Sequence, residues 1–303
     1  MKISACIVCS AICLAGTANS KPSRPIDAPD IFGKVSGAAP FTASKGSWAV
    51  EAGGQAKGNE QISEDGMRSF DAGDRLGSLR FGKAPDPDDP SRSVLVFRAH
   101  MNDALSWGAP RTELSFGQAS RLPVGQDFWY GFGLRTPGWN VRATDEQLLT
   151  QWHQGNGTIP LGPFMALLVK GNNFKLDVKF NLKYPPSIAT TNTTTVWTGS
   201  GMPVDKWTYF VFKAKISPDL KDDPYLQVWK DGVQIVDYHG PFGYNYPDVK
   251  PYVKLGHYEW IASYNRWDPD SPVKTVYYRT PVLIRDNGGK YSEADVRAYL
   301  SSQ

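Results

Sequence analysis

Cysteine, histidine and net charge are all scarce in this chain. Its 303 residues include 3 cysteines and 4 histidines, and 33 basic side chains nearly balance 30 acidic ones, for a net charge of +3. Cys6, Cys9 and Cys13 all lie near the start, so the remainder has no disulfide, no thiol nucleophile and no cysteine metal site. The small net charge gives no footprint for nucleic-acid binding, yet it would not repel an anionic polymer. Long hydrophobic runs are missing as well. The apolar stretch from Ile3 to Ala15 is too short to span a membrane. With Lys2 before it and Ala18-Asn19-Ser20 after it, it reads as a signal peptide over residues 1–20, cut before Lys21. None of its cysteines follows a lipobox. A secreted or periplasmic protein is expected.

Turn formers and aromatics are plentiful: 29 glycines, 23 prolines and 10 tryptophans. Aromatic side chains at this density either fill a sandwich core or stack on sugars. Residues 21–45 are rich in Pro, Ala, Ser and Gly and read as a loose lead-in. Residues 46–303 read as one domain, because no later stretch resembles a linker and no internal repeat is present. Short strands dominate. They are predicted over Ser93–Met101, Arg111–Phe116, Phe128–Arg135, Gln147–Gln154, Trp207–Ile216, Tyr252–Trp260 and Thr275–Ile284. Hairpins are predicted over Phe164–Phe180, turning at Gly171-Asn172-Asn173, and over Tyr225–Tyr238, turning at Asp231-Gly232. Only the C-terminus looks helical, where Ser292 and Asp295 form a capping-box pattern. Many strands without alternating helices predict an all-β antiparallel sandwich, a jelly roll of the concanavalin-like kind, with a short C-terminal helix.

Three of these strands carry chemistry on one face. Residues two apart in a strand share a face. Arg111, Glu113 and Ser115 are therefore grouped opposite Leu114 and Phe116. Gln151 and His153 are grouped opposite Leu148 and Trp152. Tyr252, Lys254, Gly256, Tyr258 and Trp260 are grouped opposite Val253 and Leu255. If the three strands are neighbours in one sheet, these side chains floor a groove. A half-solvated sheet face is commonly polar, but solubility alone calls for Thr, Ser, Lys and Glu rather than this Arg, Gln, His and Tyr set. His100, on the face of Arg98, is a further groove candidate. His257 should point away from Tyr258, and His239 lies in a Gly/Pro loop; both read as structural. Trp107, Tyr244 and Trp260 are candidates for stacking on sugar rings, each equally at home in a core.

Arg111-Thr112-Glu113-Leu114, Gln151-Trp152-His153 and Tyr252-Val253-Lys254-Leu255-Gly256-His257-Tyr258 resemble, in order, the three signature strands of jelly-roll alginate lyases. Trp260 replaces the glutamine that ends the third signature there. The stretch from Asp237 to Asn245, followed by Lys254 to Trp260, is closer to the heparin lyase I and glucuronan lyase group of polysaccharide lyases. The resemblance covers roughly residues 90–285. It implies an enzyme that cleaves a uronic-acid polymer by β-elimination. Arg111 and Gln151 would neutralise the uronate carboxylate, and His153 would be the base or a carboxylate partner. Tyr258 would donate a proton to the leaving oxygen and is also a candidate base. Lys254, Glu113, His100, Tyr252 and Trp260 would line the substrate groove, with Glu113 orienting Arg111. Some relatives carry calcium, but the acidic loop Asp86–Asp89 lacks a recognisable ligand spacing. No metal site and no required cofactor are expected. The expected partner is an acidic polysaccharide, with no nucleic acid and no membrane, and the protein is expected to be a monomer. Two rivals remain. A glycoside hydrolase would need a pair of catalytic carboxylates, which no strand presents. A non-catalytic carbohydrate-binding protein would need the aromatics without the His, Tyr and Arg set.

Overall fold

The computed structural model describes residues 23–34, 48–52, 80–103, 105, 108–117, 120–155, 159, 161–260 and 269–303. The expected signal peptide and Trp107 lie outside these residues. The elements in chain order are β1 (Ile31–Lys34), β2 (Trp48–Ala52), β3 (Phe81–Pro85), β4 (Ser93–His100), β5 (Arg111–Phe116), β6 (Asp127–Arg135), β7 (Glu146–His153), β8 (Met165–Lys170), β9 (Asn173–Asn181), β10 (Asn192–Ser200), β11 (Thr208–Lys215), β12 (Tyr225–Lys230), β13 (Val233–His239), β14 (Gly243–Tyr244), β15 (Tyr252–Glu259), β16 (Val273–Arg285) and the helix α1 (Glu293–Ser302).

They form two sheets. One runs β13-β12-β11-β6-β16-β4-β3, with β1 added to β16, and the other runs β10-β9-β8-β7-β15-β5-β2, with β14 added to β9. Every strand pair is antiparallel except β14 with β9. The expected sandwich is therefore the observed one, and both hairpins turn where predicted. Asp231 and Gly232 both take positive φ, 52° and 82°, as a tight two-residue turn requires. The segment read as a loose lead-in contains β1, which is tied down through its pairing with β16. The short β2, β3 and β14, and the longer β10, were not predicted either.

Aromatic side chains fill the space between the sheets. Trp152 packs against Phe128, Phe164, Phe212 and Phe242, and all five are fully buried. Helix α1 starts on the predicted capping box of Ser292 and Asp295. Its Val296 and Leu300 cover Trp129, Val211, Val282 and Ile284 on the outside of the first sheet.

Two contacts set how the sheets meet. The hydroxyl of Tyr278, on β16, lies 2.8 Å from the carbonyl oxygens of both Leu149 and Gly256 in the opposite sheet. Burial pushes this phenol well above its ordinary pKa, so it stays a neutral donor. Gly256 has φ +144°, and a β-carbon there would collide with the Thr112 carbonyl oxygen while lying 2.9 Å from Phe97 Cδ1. Only glycine lets β15 approach β5 this closely.

Tyr278→Phe should lower stability by about 1–3 kcal/mol, because two buried carbonyls lose their donor; urea unfolding of the two proteins measures this. Gly256→Ala should cost at least ~2 kcal/mol through strain and overlap. An unchanged unfolding midpoint would contradict that reading of β15.

Candidate active site

The three strands singled out in the sequence are neighbours, in the order β7-β15-β5. Their register lines up the polar faces. Lys254 lies between Gln151 and Ser115, Gly256 opposite Glu113, Tyr258 opposite Arg111, and Tyr252 opposite His153. Each face is polar because the alternate residues, Leu114, Trp152, Val253 and Leu255, are spent on the core. One detail differs. A bulge between Leu148 and Thr150 resets the alternation of β7, so Leu148 leaves the face of Trp152 and packs on the outer side with Tyr258, Ala166 and Leu168.

Glu113 is the hub of the polar group. It has no exposed surface. Its Oε1 accepts from Gln151 Nε2 at 2.6 Å, its Oε2 accepts from Arg111 Nη1 at 3.2 Å, and Lys254 Nζ lies 3.8 Å away. Gln151 and Glu113 sit on β7 and β5, the strands that flank β15, and they meet across it. Two cations facing one carboxylate leave this part of the groove positive. Arg111 also lies over the ring of Tyr258, its Cζ 3.7 Å from the centroid, an attractive cation–π geometry. Trp260 completes this end, 5.8 Å from the Tyr258 ring centroid.

His153 and Tyr252 make up the other end. The Tyr252 hydroxyl is 3.4 Å from His153 Nδ1, and Arg121 stacks on the Tyr252 ring with its Cζ 4.4 Å from the centroid. Both His153 and Tyr252 are partly exposed, whereas Tyr258 is buried. Gly155 runs close beside the imidazole: a β-carbon there would lie 2.8 Å from His153 Cε1. The register sets His153 and Tyr258, the expected base and acid, at different points along the face. Tyr252, not Tyr258, stands across from His153, and the six residue steps of β15 from Tyr252 to Tyr258 span about 20 Å of strand. The motifs alone carried no register.

Other candidates fall elsewhere. His100 ends β4 in the opposite sheet, so it does not join this face. Its main-chain N–H donates to Asp103, and burial, helped by Arg80, holds its imidazole below the ordinary pKa. His257 points inward beside Trp139, and burial and Lys274 hold its pKa well below normal. His239 lies near Asp237 on β13 of the other sheet. Tyr244 is buried, donating to the Gly162 carbonyl. The acids of the 86–89 loop face arginines: Asp86 meets Arg279, Asp88 meets Arg135, and Asp89 meets Arg92. Burial alone would raise the Asp86 pKa, but Arg279 outweighs it and holds the carboxyl low. A loop so neutralised does not fit a calcium cage. Among the described residues no group of three or more His, Cys, Asp and Glu side chains could hold a metal ion, and no helix is long and apolar enough to cross a membrane.

The sequence reading missed one extension of the face. On β9, Phe174, Leu176 and Val178 enter the core, which turns Lys175, Asp177 and Lys179 outward. Lys175 bridges Asp177 at 3.0 Å and Glu146 at 3.6 Å, and burial pulls the Lys179 pKa down. The alternation Lys-x-Asp-x-Lys was visible within the predicted hairpin.

No curated protein matches the sequence. The fold is similar to that of an endo-β-1,4-glucuronan lyase from the fungus Trichoderma reesei, with a TM-score of 0.59 and 13% identity over 80% of this chain and 96% of that one. It is also similar to an alginate lyase from Pseudomonas aeruginosa, with a TM-score of 0.50 and 16% identity over 80% of this chain and 99% of that one. At such identities the likeness establishes the sandwich and nothing about the substrate. The family model described as polysaccharide lyase matches residues 44–280, well over half of the sequence, and the chain therefore belongs to the polysaccharide lyases.

Proposed function

We propose that this lyase is exported and cleaves a uronic-acid polymer, glucuronan or a heparin-like chain, by β-elimination on the outer face of β7, β15 and β5. The observation that carries the reading is the convergence of Arg111, Gln151 and Lys254 beside a histidine–tyrosine contact. Elimination takes the proton from carbon 5, turns that C–H pair into the C4–C5 double bond, and breaks the bond from carbon 4 to its glycosidic oxygen. The carbon-5 proton is only weakly acidic, and the uronate carboxylate must absorb the charge as it leaves. Preorganised cations and N–H groups lower that cost most in a site poor in water. Lys254 and the Gln151 amide supply them, and Arg111 adds positive charge from behind Glu113. A glycoside hydrolase is disfavoured by the same contacts, since the carboxylate of Glu113 is already engaged by two hydrogen-bond donors and faced by the Lys254 ammonium.

His153 takes the carbon-5 proton, and Tyr252, within reach of the same imidazole, donates to the leaving oxygen. Histidine suits the first role because its ordinary pKa of about 6.5 leaves it neutral near pH 7. A neutral phenol suits the second without any shift. One observation favours a second reading, in which Tyr258 performs the proton transfer: the Arg111 guanidinium on its ring stabilises a phenolate.

His153→Ala should lower the formation of ultraviolet-absorbing unsaturated uronate by on the order of a hundredfold or more. Tyr252→Phe should do the same while Tyr258→Phe loses less. The reverse order establishes the second reading, and near wild-type rates in all three variants would sink both. Because Arg, Lys and Gln meet the developing charge, dialysis against a chelator should leave the rate unchanged. A rate restored by added calcium would contradict this assignment.

A further inference from the structure

The catalytic face does not stop at His153. Gln154 and Gly155, the next residues in the chain, line a cleft of about 1280 Å³ together with the basic Arg121, Lys250 and Arg285 and the acidic Asp219, Asp222 and Asp248. Arg121 belongs to both places: it lines the cleft and stacks on Tyr252. Its Nη1 donates to the carbonyl oxygen of Lys250 at 3.4 Å, which fixes the guanidinium beside the lysine. The three acids already accept hydrogen bonds, Asp248 from the Tyr184 hydroxyl at 2.9 Å. Asp219 accepts from the Lys221 main-chain N–H, and Asp222 accepts from the Ser217 hydroxyl. The cleft exceeds the roughly 300–1,000 Å³ that holds a drug-sized ligand, so it has room for more than one sugar ring.

We propose that this cleft is a second binding site for the polymer, in which Arg121 and Lys250 hold the carboxylate of a uronate beyond the one that reacts. The inference rests on the uronate-lyase reading and adds a residue outside its signature strands. An arginine is suited to the task because its planar fork meets both oxygens of a carboxylate. Its contact with Tyr252 places the bound sugar next to the proton-transfer pair. A long chain is thereby registered over Gln151 and Lys254, while a short one is not.

The test uses oligouronates from dimer to hexamer. Binding to the inactive His153→Ala protein is followed by calorimetry, with and without Arg121→Gln or Lys250→Gln. In the parent, affinity should rise with length. Each substitution should weaken the longer oligomers about tenfold, the scale of one hydrogen-bonded charge, and the dimer much less, and added salt should shrink the difference. Loss of affinity equal at every length would overturn the proposal and make Arg121 a support for Tyr252 alone. No loss at any length would overturn it as well. Failure of the underlying reading looks different: the unaltered protein would then form no unsaturated product from any uronate polymer.

Discussion

A carboxylate with no exposed surface must have its charge met by the protein, because water cannot meet it. Glu113 is in that position, and Gln151, Arg111 and Lys254 come to it from three strands. Removing one partner of such a buried pair typically costs about 3–5 kcal/mol, since the remaining charge is left uncompensated. The cluster therefore fixes more than itself. It holds β5, β15 and β7 in one register, and that register decides which side chains stand together. Gly256 makes the arrangement sterically possible, and Tyr278 secures the same stretch of β15 from the opposite sheet.

The same cluster limits what Arg111 can do. A guanidinium that donates to Glu113 and lies over the Tyr258 ring is partly spent on the protein before substrate arrives. It raises the local potential rather than acting as a free fork for a uronate. In the proposed reaction Lys254 is better placed to answer the developing charge: it stands in the middle row, between Gln151 and Ser115.

Much of this was legible in the sequence, for identifiable reasons. Strands that are half buried advertise themselves: Arg111-x-Glu113-x-Ser115 against Leu114 and Phe116 could be read from alternation alone. The Asp231-Gly232 and Gly171-Asn172 turns were equally plain, because few residues accept positive φ. Strand β10 was not readable, since Asn192-Thr193-Thr194-Thr195 is exposed on an edge and nothing in it alternates. His100 was misplaced for another reason. Periodicity gives the face of a strand but not the sheet it joins. The single extra residue at Leu149 shows how fragile the inference is, because one bulge moved Leu148 from one side of β7 to the other.

Register is the deeper gap, and it changes the chemistry. Alternation says that His153 and Tyr258 share a face; only the pairing of β7 with β15 says where along that face each one stands. Acid and base must both reach a single sugar ring, within hydrogen-bond distance of the atoms they serve. Two side chains rooted about 20 Å apart along a strand meet that demand only by leaning far toward each other. His153 is instead drawn toward Tyr252, and Tyr258 lies beneath Arg111. A groove with a histidine–tyrosine pair at one end and an arginine–tyrosine–tryptophan stack at the other is better matched to successive sugars than to one. In the proposed reaction the positive middle row and the adjoining His153–Tyr252 pair serve the reacting uronate, and the Arg111–Tyr258–Trp260 end serves a neighbour along the chain.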